Sequence, residues 1–219
     1  MRLQPPWLAR LLARQGVVAV ATRTSSAEVA LTFDDGPHEP LSSRLLDVLA
    51  SHGVPATFFY LGSAVEAHPE VVRAAVAAGH EVGNHGWLDR PTIRLSRTAL
   101  RADITRTGEA VRRVTGRTPV LFRPGSGWLT PGQLRDLTAL GYRVVLGSVA
   151  VLDLTVADVD RELRFLLARV RPGSVIVLHE GGAARERVVD LVARLLPELA
   201  ARGYACVPLS RLLGASTSR

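Results

Sequence analysis

Apolar and polar positions along the chain fall into two alternating rhythms. Short apolar and β-branched runs predict strands at 28–33, 56–61, 81–84, 119–122, 142–148, 174–178 and 204–208. Between them, apolar residues recur at helical spacing over 41–51, 69–78, 97–115, 131–140, 156–170 and 185–202. A glycine closely follows five of these helices, at Gly53, Gly79, Gly116, Gly141 and Gly203, and Gly173 follows Pro172 in the same role. Glycine just past a helix end marks a left-handed cap. The repeated helix, glycine, strand order predicts an α/β fold with a parallel sheet. Seven strands suit either an open doubly wound sheet or a barrel. No Gly-x-Gly-x-x-Gly follows the first strand, which argues against a dinucleotide site.

The chain's 219 residues are enough for one domain with a sizeable core, and 47% apolar content excludes a disordered chain. The formal charge of +7 invites a nucleic-acid reading. All 27 basic residues are arginines, however, and they are scattered through helical stretches without a long run. They read as solvated helix faces, so no nucleic-acid partner is expected. Cys206 is the single cysteine, so no disulfide forms within the chain, and a buried structural thiol is expected. No segment approaches the ~20 apolar residues of a spanning helix. Arg10 and Arg14 interrupt the apolar part of the N-terminus. A short amphipathic helix over 7–14 and an uncleaved start are expected there, with an export or membrane-associating segment as the alternative. On that basis the cytoplasm is favoured over the cell envelope. The expected division is a lead-in over 1–27, one domain over 28–213 and a tail over 214–219, acting as a monomer.

In a parallel β/α barrel, chemistry gathers at the C-terminal ends of the strands. Polar, titratable groups follow five of the predicted strands. Asp34 and Asp35 follow the first, and His85 and then Asp89 follow the third. Arg123 follows the fourth, Asp153 the fifth, and His179 with Glu180 the sixth. Each has a plain reading on its own. Asp34-Asp35-Gly36-Pro37 suits a surface turn, His85 a loop histidine, Asp89 a turn cap, Arg123 a salt-bridge partner and His179 a satisfied strand-end histidine. Five strand ends together argue for a site.

One imidazole and two carboxylates at Asp35, His85 and Asp89 would leave room for water on a divalent cation. Asp34 is then placed to act as general base, and His179 to protonate a leaving group. Arg123 would fix or tune the base, and at the mouth it is expected to matter more to turnover than to folding. His38, His52, His68 and His80 read as structural. His52 and His80 lie at helix ends, where a cation-capable ring is favourable.

These residues together resemble the polysaccharide deacetylase family of carbohydrate esterases, the NodB-homology domain. Leu31-Thr-Phe-Asp-Asp-Gly-Pro37 is similar to its first motif, which implies Asp34 as base and Asp35 as metal ligand. Asn84-His-Gly-Trp-Leu-Asp89 is similar to the second, implying His85 and a residue four later, Asp89, as ligands. Phe122-Arg-Pro-Gly-Ser-Gly127 resembles the third, whose arginine (Arg123) contacts the base and whose loop walls the groove, here with Pro124, Gly125 and Trp128. Asp153 matches the fourth motif's aspartate, which supports the catalytic histidine. Ile176-Val-Leu-His179 resembles the fifth, implying Leu178 in the acetyl pocket and His179 as acid.

The resemblance covers about 28–210 and implies a distorted seven-stranded β/α barrel. It also implies a divalent metal, zinc first, with cobalt, nickel or manganese as alternatives. The implied activity is removal of N-acetyl groups from an N-acetylglucosamine-containing glycan. The departures are Asp89 for a second histidine, Gly86 for a small hydroxyl residue, a changed groove wall at 124–128, Leu154 for a tryptophan and Glu180 for an aspartate. They leave open a carbohydrate-binding barrel without turnover, or an amidase acting on a small non-glycan amide.

Overall fold

The computed structural model describes residues 26–150, 158–180 and 187–214, with the backbone of residues 17 and 18. Nine strands lie in these residues: β1 Val17–Val18, β2 Glu28–Asp34, β3 Thr57–Tyr60, β4 Glu81–Asn84, β5 Leu121–Phe122, β6 Arg143–Val145, β7 Val149–Ala150, β8 Val175–His179 and β9 Ala205–Cys206. All pair in parallel in the order β1-β6-β5-β4-β3-β2-β8-β7, and β9 lies beside the start of β2. No pairing among the described residues joins the two ends of this path. The seven strands β2–β8 therefore make an incomplete barrel wrapped by helices.

The helices are α1 Leu41–Ser51, α2 Gly62–Ala67, α3 Pro69–Ala77, α4 Arg97–Thr115, α5 Pro131–Ala139, α6 Val159–Arg169, α7 Val188–Ala201 and α8 Leu209–Leu213. The five glycines expected past helix ends all have positive φ. The cap chemistry explains why α4 falls where its pattern places it. The Ser96 side chain accepts from the Ala99 N–H at one end, and Gly116 closes the other at φ +73°.

Three elements differ from the sequence pattern. The seventh barrel strand is β7, two residues long, whereas the 204–208 run contributes only β9. α2 and α8 are too short to show a periodicity. The predicted helix over 7–14 lies outside the described residues.

Alternation along the strands sorts the core into two layers. Leu31, Phe33, Phe58, Tyr60, Ile176 and Leu178 pack outward against the helices. Ala30, Phe59, Leu121, Val145 and Val175 fill the barrel interior together with Leu209, Leu212 and Leu213 of α8. The start of α8 is pinned at the N-terminal ends of β3 and β4. The Leu209 N–H donates to Thr57 Oγ1 at 3.3 Å and the Ser210 N–H to Glu81 Oε2 at 3.1 Å. With α8 plugging that end, the opposite end is left to form a mouth.

His80 is structural as expected, but as a buried neutral ring rather than a cation at a helix end. It is buried, its Nδ1 accepts from the Ala56 N–H at 3.1 Å, and it meets the Phe58 ring edge-on. Burial pushes its pKa below the ordinary histidine value and holds the ring neutral. The unfolded chain binds a proton here below about pH 6.5 and the folded chain resists it, so this group's contribution is lost as pH falls through that range. His80→Gln should therefore lose less stability than the wild type between pH 7.5 and pH 5.5 in urea titrations. Equal losses in the two proteins would show that His80 does not carry this dependence.

Candidate active site

β2 ends at Asp34, and the chain turns at once. Alternation alone would send Asp34 and Asp35 to opposite faces. Asp35 instead adopts a left-handed backbone, φ +76°, which is sparsely populated for any residue but glycine. Both carboxylates are buried, at 3% and 4% exposure.

Arg123, one residue past β5, reaches across the barrel to the first of them. Its Nη1 donates to Asp34 Oδ1 at 2.6 Å and to Thr32 Oγ1 at 2.8 Å. Thr32 in turn donates to the Ile176 carbonyl at 2.7 Å, which ties β2 to β8. The guanidinium lies over the Phe59 ring, 4.1 Å from its centre. Arg123 Nε and Nη2 find no hydrogen-bond partner among the described residues. The guanidinium is 3% exposed and ion-paired. Removing it would strand a buried carboxylate, so Arg123→Ala is expected to lower stability as well as turnover.

His85 follows β4 directly. Its Nδ1 lies 2.8 Å from the Arg123 carbonyl, and its Nε2 lies 3.3 Å from Asp35 Oδ1. A carbonyl only accepts, so Nδ1 carries a proton and Nε2 is the atom turned to the carboxylate. Burial works against a charge on this ring. The negative charges of Asp34 and Asp35 outweigh it, and the pKa is raised above the ordinary value. Asn84 holds the strand end that presents His85. It donates to the Ile104 carbonyl at 2.9 Å and to the Tyr142 hydroxyl oxygen at 3.0 Å, and it accepts from the Gly86 N–H at 2.8 Å.

The Asp35–His85 pair fits a divalent cation on chemical grounds. A carboxylate oxygen and an imidazole nitrogen face each other in a buried, negatively charged corner. Two ligands each ~2.0–2.2 Å from one ion lie about 3 Å apart. The imidazole's other nitrogen is already fixed by a backbone carbonyl, the usual support of a metal-binding histidine.

Asp89 is not brought to this pair. It is exposed on the loop after β4, and among the described residues no three His, Cys, Asp or Glu side chains gather as a metal cluster. The reason lies in the loop's anchor. Asp103 of α4 accepts from the Trp87 N–H at 2.7 Å and pairs with Arg90, drawing both flanks of Asp89 toward α4. The expected ligand set is assembled at two of its three positions.

His179 ends β8, half-buried, and pairs in register with Asp34 on the neighbouring strand. Acid and base candidates therefore flank one mouth. Leu178, expected in the acyl pocket, is 1% exposed and packs with Phe33 in the helix-side layer. Val177, which pairs with Thr32, shares the inner face with His179. Counting by twos from His179 would have found it.

Of the groove residues, Pro124 and Gly125 are buried and Trp128 is 54% exposed. Gly125 permits a close approach, since a Cβ there would sit 2.2 Å from the Arg90 carbonyl oxygen. Asp153 lies outside the described residues. The roles of Thr32 and Asn84 were missed because Arg123, Ile176, Ile104 and Tyr142, which define them, are distant in sequence.

The polysaccharide deacetylase family model matches residues 21–145. A chitooligosaccharide deacetylase of Bradyrhizobium sp. (strain ANU 289) is 33% identical over 201 residues, covering 86% of this chain and 92% of the relative. A peptidoglycan N-acetylglucosamine deacetylase, solved in complex with 4-naphthalen-1-yl-N-oxidanyl-benzamide, superposes with a TM-score of 0.92. It is 31% identical and covers 99% of this chain and 100% of its own. A family 4 acetyl xylan esterase from Clostridium thermocellum, solved with a cobalt ion, gives a TM-score of 0.80 at 30% identity, covering 86% and 93%. With more than half of its length matched by the family model and with relatives this similar over nearly their whole length, the chain belongs to the polysaccharide deacetylase family.

Proposed function

We propose that this protein is a metal-dependent hydrolase that removes N-acetyl groups from N-acetylglucosamine units of a poly- or oligosaccharide. The observation that carries this is the pairing of two dyads at one mouth, Asp34 with Arg123 and Asp35 with His85.

In this reading Asp34 is the general base, and Arg123 and Thr32 hold its carboxylate in one orientation. Asp35 and His85 hold a divalent cation, zinc first, with the Asp89 loop as source of a third ligand. The cation supplies Lewis-acid charge that acidifies water and polarises the acetyl carbonyl. His179 gives its proton to the departing amine, and Asp153 is assigned to orient that imidazole. The glycan lies along the wall marked by Trp128. That residue, with Leu88 and Ile93, makes up the exposed large apolar side chains among the described residues, and all three sit in the segments that connect β4 to α4 and β5 to α5. Sugar rings stack on such surfaces. The chitooligosaccharide and peptidoglycan deacetylases among its relatives support a glycan built on N-acetylglucosamine.

Acetate release from N-acetylglucosamine oligomers tests the reading. Release should stop with a chelator and return with added zinc. Asp35→Asn and His85→Ala should each lower bound zinc, read by metal analysis, and take activity to background. No acetate release with zinc, cobalt, nickel or manganese would overturn it.

A further inference from the structure

A buried carboxyl group with no part in this chemistry lies directly beneath the Asp34-Asp35 turn. Glu180 is 0% exposed. Its backbone N–H donates to the Asp34 carbonyl at 2.9 Å. Its side chain reaches the other end of the same segment, where the Ser42 hydroxyl donates to Glu180 Oε2 at 2.6 Å. The same hydroxyl oxygen accepts from the His38 N–H at 2.7 Å, which ties this end of the segment to the Glu180 side chain.

Between these two ties the chain passes Gly36 with no room to spare. A Cβ on Gly36 would sit 1.9 Å from Glu180 Oε1 and 2.2 Å from its Cδ. Gly36 is held from the far side, where its carbonyl accepts from the Leu61 N–H at 3.0 Å. Residues 34–42 therefore wrap around the Glu180 side chain. Within that wrap lies Asp35, in a backbone conformation that persists only where its surroundings over-determine it.

The geometry points to Glu180 as a positioning residue: its side chain is the wedge that holds Asp35 in its left-handed turn, facing His85. This rests on the reading of Asp35 and His85 as the metal pair.

Glu180→Ala, Glu180→Gln and Gly36→Ala test this in the full chain, with zinc binding by calorimetry beside kinetics and circular dichroism. Glu180→Ala should weaken zinc binding ~10–100-fold, the usual effect of losing a support behind a ligand. It should lower kcat with KM nearly unchanged. Glu180→Gln keeps the volume and the Ser42 bond, and should restore zinc affinity, kcat and the wild-type pH profile. Gly36→Ala should harm the site when Glu180 is present and harm it less in combination with Glu180→Ala.

Wild-type zinc affinity in Glu180→Ala would overturn the proposal. So would a Glu180→Gln variant as impaired as Glu180→Ala, which would give the proton rather than the wedge the decisive role. If the wild type itself binds no zinc, the metal reading fails, and crystal structures still decide the wedge. Asp35 should leave its left-handed conformation in Glu180→Ala and keep it in Glu180→Gln. An unchanged Asp35 in Glu180→Ala would sink the inference.

Discussion

Replacing His179 with alanine should cut hydrolysis of an N-acetyl amide by ~10²–10⁴-fold, the usual contribution of a general acid. Hydrolysis of an activated aryl ester such as 4-nitrophenyl acetate should fall far less. An amine leaves poorly until it is protonated, whereas a nitrophenolate needs no proton. The fold places His179 for this work. It is the last residue of β8, and its partner across the parallel ladder is Asp34. Side chains in register on neighbouring strands point to the same face, so the proton donor stands beside the base at the mouth. His179 is half-buried, in reach of a substrate, whereas Leu178 before it is closed into the helix-side core. His179 belongs to neither apolar layer, so the variant leaves the core packing in place. Zinc content and circular dichroism of His179→Ala should match the wild type. Comparable losses on amide and ester would take His179 out of the acid role.

The elements legible in the sequence are those whose signals are local. α1 and α4 begin and end where the periodicity places them, and β4 matches its run residue for residue. Asp34-Asp35-Gly36-Pro37 is legible because two adjacent carboxylates follow an apolar run directly. What escaped is non-local or too short to have a period. β7 has two residues, and what defines it is its pairing with β8. Thr32 looks like any strand threonine until Arg123, 91 residues later, donates to it. Glu180 stands in the sequence only as a departure beside His179, because its relation to Ser42 spans 138 residues. Asp89 had the right spacing from His85, but spacing says nothing of Asp103, which draws the flanks of its loop toward α4. Leu178 was a different kind of miss, because alternation from His179 already assigned it to the outer face.

Asp34→Asn should reduce turnover by ~10²–10⁴-fold while leaving zinc affinity nearly unchanged. Asn keeps the shape and one acceptor oxygen for Arg123 Nη1, so the ladder between Thr32, Arg123 and the end of β2 is retained. It loses the basicity that takes a proton from water. It also leaves the Arg123 guanidinium buried without its counter-charge. A measurable loss of stability is therefore expected along with the kinetic one, because breaking a buried pair on one side costs about 3–5 kcal/mol when no acceptor remains and less when one does. Asp35→Asn is the contrast. That residue faces His85 Nε2 rather than Arg123, so its loss should fall on the metal first. Measuring zinc affinity, kcat and urea midpoint for both variants separates the two roles. Asp34→Asn should be poor in kcat and sound in zinc, and Asp35→Asn should be poor in both. The same drop in zinc affinity for the two variants would mean that Asp34 is itself a ligand, and the base would then have to be sought elsewhere at the mouth.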